Sequence, residues 1–167
     1  MRSEPAVTAR VHLPADPAAT FALGERLGRH LRPGQAVALV GDLGAGKTTF
    51  ARGIGAGLGV DDPDAICSPT YLLVVEHPGP RPLLHADAYL PQKLAGFLAE
   101  GGLDYLLDAN AVVVVEWADR IVDLLPAEAL WVHLTPAADG GRDVTFRQVD
   151  PSAWPWLTEV AKIAEPG

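Results

Sequence analysis

Residues 41–48 read Gly-Asp-Leu-Gly-Ala-Gly-Lys-Thr, and their types and spacing suit one task, the holding of a polyphosphate. The pattern G-x-x-x-x-G-K-[ST] places glycines where a loop must bend around phosphate oxygens and bring its backbone amides close to them. Lys47 adds a positive charge near the β and γ phosphates, and Thr48 presents a hydroxyl to Mg²⁺. A helix beginning at this point aims its positive N-terminal end at the same anion. The expected nucleotide contacts are Asp42, Leu43, Gly44, Ala45, Gly46, Lys47, Thr48 and Thr49, with ATP or ADP and Mg²⁺ as the bound species.

A phosphate cradle does not complete a hydrolytic site, because Mg²⁺ and an attacking water each need oxygen partners. Glu116 follows Val112-Val113-Val114-Val115, and Asp87 follows Leu83-Leu84-His85-Ala86. Both carboxylates therefore fall at the C-terminal ends of apolar strands, the edge at which α/β sheets gather ligands. Beside Thr48 and its metal, Asp87 and Glu116 are the candidates for ligating Mg²⁺ and for orienting water, and with Lys47 they make the candidate catalytic set. The pattern leaves open which carboxylate orients water. Taken alone, each is equally compatible with a helix cap or a solvated strand end, and the phosphate loop tips the reading toward chemistry.

Other side chains near these motifs carry two readings each. Trp117 reads as a core aromatic when considered alone, and as a site residue when its neighbour Glu116 is counted. His85 reads as a satisfied strand histidine before a catalytic base. Ser68-Pro69-Thr70 forms a turn whose hydroxyls either cap backbone groups or sense a γ phosphate as a switch segment. Cys67, the single cysteine, has no disulfide partner and no metal-ligand spacing around it, which fits a reduced, cytoplasmic setting.

The elements that must position these residues alternate between strand and helix. Residues 8–13 read as a short strand, and Asp16-Pro17 supplies an N-cap followed by proline at the first helical position. Leu23, Leu27 and Leu31 then give a helix with one buried stripe, ended by Pro33-Gly34. Ala36 to Val40 is a continuous apolar run of the kind buried on both faces in a parallel sheet. From Lys47 to about Leu58 a helix is expected despite Gly53, Gly55 and Gly57, each costing about 1 kcal/mol relative to alanine. Close packing against a neighbour is the expected compensation, and Gly59 the expected stop. Strands follow at residues 71–77, 83–88 and 111–115, with a helix over 92–107 interrupted at Gly101-Gly102 and a short helix over 119–124. Residues 130–134 and 144–149 bracket Asp139-Gly140-Gly141 as a hairpin, and a terminal helix runs from about 152 to 163. This order predicts a three-layer α/β fold, the P-loop NTPase type, with a mostly parallel central sheet and an antiparallel hairpin portion.

Composition bounds the possibilities. The 167 residues suit one domain with its core at about 8–150, and 49% apolar with 20% charged residues argues against disorder. A net charge of −8 gives the surface no general attraction for nucleic acid or anionic lipid. Any connection to RNA would run through a partner. No stretch has signal-peptide or membrane-spanning character, so neither export nor insertion is expected.

Taken together, the motifs resemble the TsaE (YjeE) family, small ATPases of bacterial tRNA threonylcarbamoyladenosine biosynthesis. The resemblance rests on an ordered series over about residues 10 to 150. It comprises the loop from Gly41 through Phe50 with Arg52-Gly53, then Ser68-Pro69-Thr70-Tyr71, His85-x-Asp87-x-Tyr89, and Val115-Glu116-Trp117. It implies an ATPase working with TsaB and TsaD while threonylcarbamoyl is placed on adenosine 37 of tRNA, with tRNA met only through the complex. It further implies that Lys47 and Thr48 bind phosphate and Mg²⁺, that Glu116 is the second metal-side ligand, and that Asp87 supports hydrolysis. Ser68-Pro69-Thr70 would be the switch-like loop, Trp117 would lie beside nucleotide or partner, and Asp16 and Arg142 would border the nucleotide. The chain departs from the family at Leu90, where relatives commonly have arginine, and Arg120 is a candidate replacement.

Three other readings use the same loop. A small-molecule kinase needs an arginine-bearing lid over the transferred phosphoryl group, and the arginines here are dispersed. A GTPase needs an Asn-Lys-x-Asp segment, whereas Asn110, the only asparagine, precedes Ala111-Val112. A nucleotide-dependent binding module with negligible turnover overlaps the family reading.

Overall fold

The computed structural model describes residues 4–42, 44–69, 73–102 and 110–162. Seven strands form one sheet in the order β1-β7-β6-β2-β5-β4-β3: β1 (Ala6–Leu13), β2 (Ala36–Val40), β3 (Val74–His77), β4 (Leu83–Asp87), β5 (Val112–Glu116), β6 (Leu130–Pro136) and β7 (Arg142–Gln148). The four central strands, β6, β2, β5 and β4, are mutually parallel. The flanking strands β7, β1 and β3 run antiparallel to their neighbours, and the β6–β7 hairpin falls where Asp139-Gly140-Gly141 signals it. Apolar residues alternate to both sides of the sheet. Val112, Val114, Val132 and Val144 face helices α1 (Pro17–His30), α2 (Lys47–Leu58) and α4 (Leu157–Lys162), while Leu84, Ala86, Val113 and Val115 face the layer with α3 (Pro91–Phe97).

The α1–α2 pair positions the phosphate loop. Asp16 caps α1 by accepting the Ala18 N–H at 3.0 Å, and Leu23, Leu27 and Leu31 form the buried stripe. Four glycines then bring the two backbones together: Gly24 and Gly28 lie against the Phe50 and Ile54 carbonyls, and Gly53 and Gly57 against those of Phe21 and Glu25. Contacts advance along both chains in the same direction, so the helices are parallel and their N-termini open at one end. At the other end the Arg81 guanidinium donates to Gly28 and Arg29 of α1, to Leu31 at its C-cap and to Gly57 of α2, at 2.7–3.1 Å. One cation thus satisfies carbonyls at the negative ends of two helix dipoles.

Differences from the sequence expectations have local causes. Strand β1 starts two residues early, because β7 offers it partners from Ala6 onward. The segment 118–124 forms tight 3-10 turns, kinked at Ile121. The terminal helix begins at Leu157; residues Pro151–Ala153 make only a single 3-10 turn, since Pro155 has no N–H to donate and holds Trp154 out of the helical region. Trp154 is buried in the core and Trp156 stacks on His30. Helix α3 ends at Phe97, and a wider turn runs from Leu98 to Gly102, where Gly101 takes a positive φ. Residues 103–107 of the expected helix, with Thr70, Tyr71 and Leu43, lie outside the described residues. Among the described residues no helix is long and apolar enough to cross a membrane.

The glycine seam predicts a contrast between two substitutions. A Gly53→Ala methyl would overlap the Phe21 carbonyl oxygen, a backbone atom that cannot rotate away. Overpacking of about 1–3 kcal/mol outweighs the propensity gain of about 1 kcal/mol, so G53A lowers the urea midpoint. G96A, on the open face of α3, leaves the midpoint unchanged or raises it. Equal midpoints for G53A and the unaltered protein would contradict the seam.

Candidate nucleotide site

The loop between β2 and α2 is curled. Gly44 and Gly46 take φ of 81° and 101°, a left-handed conformation that other residues adopt only at a cost. Gly41 is needed for room instead: a Cβ there would stand 2.7 Å from the Leu134 carbonyl oxygen and 2.9 Å from the Ala45 methyl. Cations hold four of the loop's carbonyls. Lys47 Nζ donates to Gly41 O at 2.6 Å and Asp42 O at 2.8 Å, while Arg142 donates to Ala45 O at 3.1 Å and Gly44 O at 3.2 Å. Because N–H and C=O of one peptide point oppositely, the Ala45 carbonyl bound to Arg142 directs the Gly46 N–H away from it. Burial pushes the Lys47 ammonium below its usual pKa, opposed by the charges of Glu116, Asp42, Asp87 and Asp119.

Strand alternation delivers the carboxylates. Leu83, His85 and Asp87 on β4, and Val112, Val114 and Glu116 on β5, turn toward α2, and Asp87 pairs directly with Glu116 in the parallel ladder. Both carboxylates are almost fully buried. Thr48 Oγ1 donates to Glu116, 3.1 Å from Oε1 and 3.3 Å from Oε2, and Glu116 Oε2 also lies 2.6 Å from His85 Nε2. Asp87 accepts from the Ser68 hydroxyl at 3.0 Å and from the Tyr89 N–H at 2.7 Å. A hydroxyl and a carboxylate in mutual reach, beside room for phosphate and water, form the oxygen-only donor set that suits Mg²⁺. The cleft they border, about 290 Å³, is lined by Gly44, Gly46, Lys47, Thr48, Thr49, Ser68, Glu116 and Trp117. A second hollow of about 220 Å³, reached past Gly44, Gly46 and Thr49, is bordered by Asp16, Pro17, Thr20, Gly140 and Arg142.

Trp117 is half-buried, lining the cleft while also packing against the core layer on the α3 side of the sheet. It takes φ 57°, an uncommon value for a bulky residue, and its ring lies 4.0 Å from Lys47 Nζ and edge-on to Tyr89. The Arg120 guanidinium packs over both rings, 4.8 Å from Tyr89 and 4.9 Å from Trp117, and donates to Tyr89 O at 2.6 Å. A cation thus stands beside the site although residue 90 is leucine. Arg52, noted in the sequence only as part of a motif, donates from α2 to Ile66 O and anchors the start of the segment carrying Ser68. The His85–Glu116 contact went unread in the sequence, although two-residue alternation from Asp87 places His85 on the same face.

The parallel sheet flanked by helices, with a glycine loop joining its central strand to a helix N-terminus, defines the P-loop NTPase class of fold. A family model for the threonylcarbamoyl adenosine biosynthesis protein TsaE matches residues 14–144. The chain is 37% identical over 135 residues to the tRNA threonylcarbamoyladenosine biosynthesis protein TsaE of Bacillus subtilis, covering 80% of this chain and 82% of that one. It is 41% identical over 138 residues to the protein of the same name from Streptomyces coelicolor, covering 74% and 86%. A crystal structure of Bacillus subtilis YdiB superimposes with a TM-score of 0.74 at 29% identity, covering 98% of this chain and 99% of that one. The chain belongs to the TsaE family, and its place is in tRNA threonylcarbamoyladenosine biosynthesis.

A charged clamp steadies the β6–β7 turn beside the second hollow. His12 sets Nδ1 2.8 Å from Asp143 and Nε2 2.7 Å from Asp139. Ionised carboxylates only accept, so both ring nitrogens must carry protons. The bonds to Asp143 and then Asp139 raise the His12 pKa above 6.5, while the Gly141 N–H, then His12, lower that of Asp139. The histidine contribution is complete below its unfolded pKa and is lost as pH rises through its raised folded value. The Asp139 contribution is present above its ordinary value and is lost as pH falls through the lowered one. The clamp is therefore tightest between about pH 4 and 6.5. An NMR titration of the Gly141 amide is expected to show a midpoint above 6.5 that H12Q abolishes; a midpoint at or below 6.5 would contradict the clamp.

Proposed function

We propose that this chain binds ATP with Mg²⁺ in the cleft at the α2 N-terminus and hydrolyses it, acting with TsaB and TsaD homologues in forming threonylcarbamoyl on adenosine 37 of tRNA. The supporting observation is the 3.1 Å contact between Thr48, first turn of the helix that follows the glycine loop, and Glu116 at the end of the neighbouring strand. These two would hold Mg²⁺, which when bound draws charge from the β and γ phosphates. The loop's amides and the α2 N-terminus bind the phosphates. Lys47, bonded to two loop carbonyls, exchanges them for phosphate oxygens. The nucleoside lies in the hollow between Asp16 and Arg142, at the mouth shared by both helix N-termini.

Asp87 and Glu116 divide the remaining work. Glu116 faces Thr48 and the metal, whereas Asp87 bonds Ser68 and so couples hydrolysis to the segment after Cys67. Arg120, stacked over Tyr89 and Trp117, stands at the rim from which a cation reaches phosphate or partner. Turnover is slow in the isolated chain, where few groups position water, and rises in the partner complex. The acidic surface fits contact with tRNA only through TsaB and TsaD.

Lys47→Ala is expected to weaken ATP binding about 10- to 100-fold, the worth of a charged hydrogen bond, as read by calorimetry. Full affinity and turnover in K47A would overturn the phosphate cradle. Phosphate release should increase on adding TsaB and TsaD homologues; no increase, together with no co-purification, would remove the pathway partners from this reading.

A further inference from the structure

Histidine 85 is fully buried in the middle of β4, and its Nε2 lies 2.6 Å from Glu116 Oε2. The carboxylate only accepts, so Nε2 carries the proton. The other ring nitrogen, Nδ1, has no hydrogen-bond partner among the described residues, and the nearby His77 ring, centred 6.4 Å away, leaves its Nε2 equally unmet. A leucine would occupy this volume without an orphaned nitrogen, which is destabilising when buried. Packing alone therefore does not account for an imidazole here. The contact with Glu116 does.

That contact has a geometric effect. The terminal torsion of a glutamate is broad, so a carboxylate held at one oxygen is free to turn. His85 reaches Oε2 at 2.6 Å from the interior of β4, while Thr48 approaches from the start of α2, nearer Oε1 at 3.1 Å than Oε2 at 3.3 Å. With Oε2 held by the imidazole, Oε1 is the oxygen nearer the threonine hydroxyl and the one His85 leaves for a metal in the cleft. We propose that His85 is a positioning residue, which holds the Glu116 carboxylate in the orientation that serves a metal ion at Thr48. It touches neither phosphate nor metal and acts through one hydrogen bond, as supporting groups behind metal ligands do. The proposal rests on the Mg²⁺–nucleotide reading above and adds to it the group that makes Glu116 effective.

The test is calorimetric titration of ADP into the full chain, with and without Mg²⁺, so that turnover is not needed. Gln and Met are close in length at position 85 and differ in whether they donate. H85M is expected to lower the apparent Mg²⁺ affinity of the nucleotide complex about 10- to 100-fold and to leave Mg²⁺-free ADP binding within about twofold. H85Q, whose amide donor reaches toward the Nε2 position, should recover most of the Mg²⁺ effect, and H85L should match H85M. An H85M protein with the unaltered Mg²⁺ response overturns the proposal, as does an equal loss of Mg²⁺-free binding in H85M and H85Q. An unaltered protein indifferent to Mg²⁺ overturns the metal–nucleotide reading itself, so the two failures are distinguishable.

Discussion

Two helices meet backbone to backbone in this protein, and everything at the phosphate loop depends on that seam. Four glycines remove the side chains that would keep α1 and α2 farther apart. Helices usually pack with axes 8–10 Å apart, set by the side chains at the contact, and bare glycine favours the short end of that range. Because the pair is parallel, two positive helix ends converge on one mouth. Parallel dipoles repel along their length, so this arrangement needs compensation at the far end. Arg81 supplies it by bonding the last carbonyls of both helices.

Above the seam, the sheet contributes through simple alternation. Every second residue of β4 and β5 turns to α2, apolar deep in the layer and polar at the strand ends. Leucine 83 and valines 112 and 114 pack, whereas Asp87 and Glu116 emerge beside the loop. His85 interrupts the apolar portion and sits behind Glu116. The polar groups thus form a short chain from Thr48 through Glu116 to His85, while Asp87 faces Ser68 on its own branch.

Much of this was legible in the residues. The loop motif, the flanking strand and the bounds of α2 follow from local chemistry, since glycine spacing and an apolar run act over a few positions. Asp16 as a cap and Gly59 as a stop are equally local. The partners of Arg81 and Arg142 were not legible, because they bond carbonyls up to 53 and 98 positions away in sequence, respectively, and any arginine could do so. The distinct reasons for the loop glycines also escaped. Gly41 is dictated by Leu134, on a strand that only the folded sheet brings near. The terminal helix starts at Leu157, later than Ser152 suggests, because Pro155 outweighs the polar residues ahead of it.

Arg81 also restricts how the molecule can respond to what it holds. Its four acceptors come from two rods, and a slip of one rod by a helical turn, about 5.4 Å, would strand them. The base of the helix pair is thereby pinned about 18 Å from the mouth, the length of α2 at 1.5 Å per residue. Axial sliding is not an available motion. With the two rods fixed to each other, any change of shape at the mouth is left to the segments that lie outside them, residues 44–46, 66–69 and 117–120, and the rods serve as the anvil beneath.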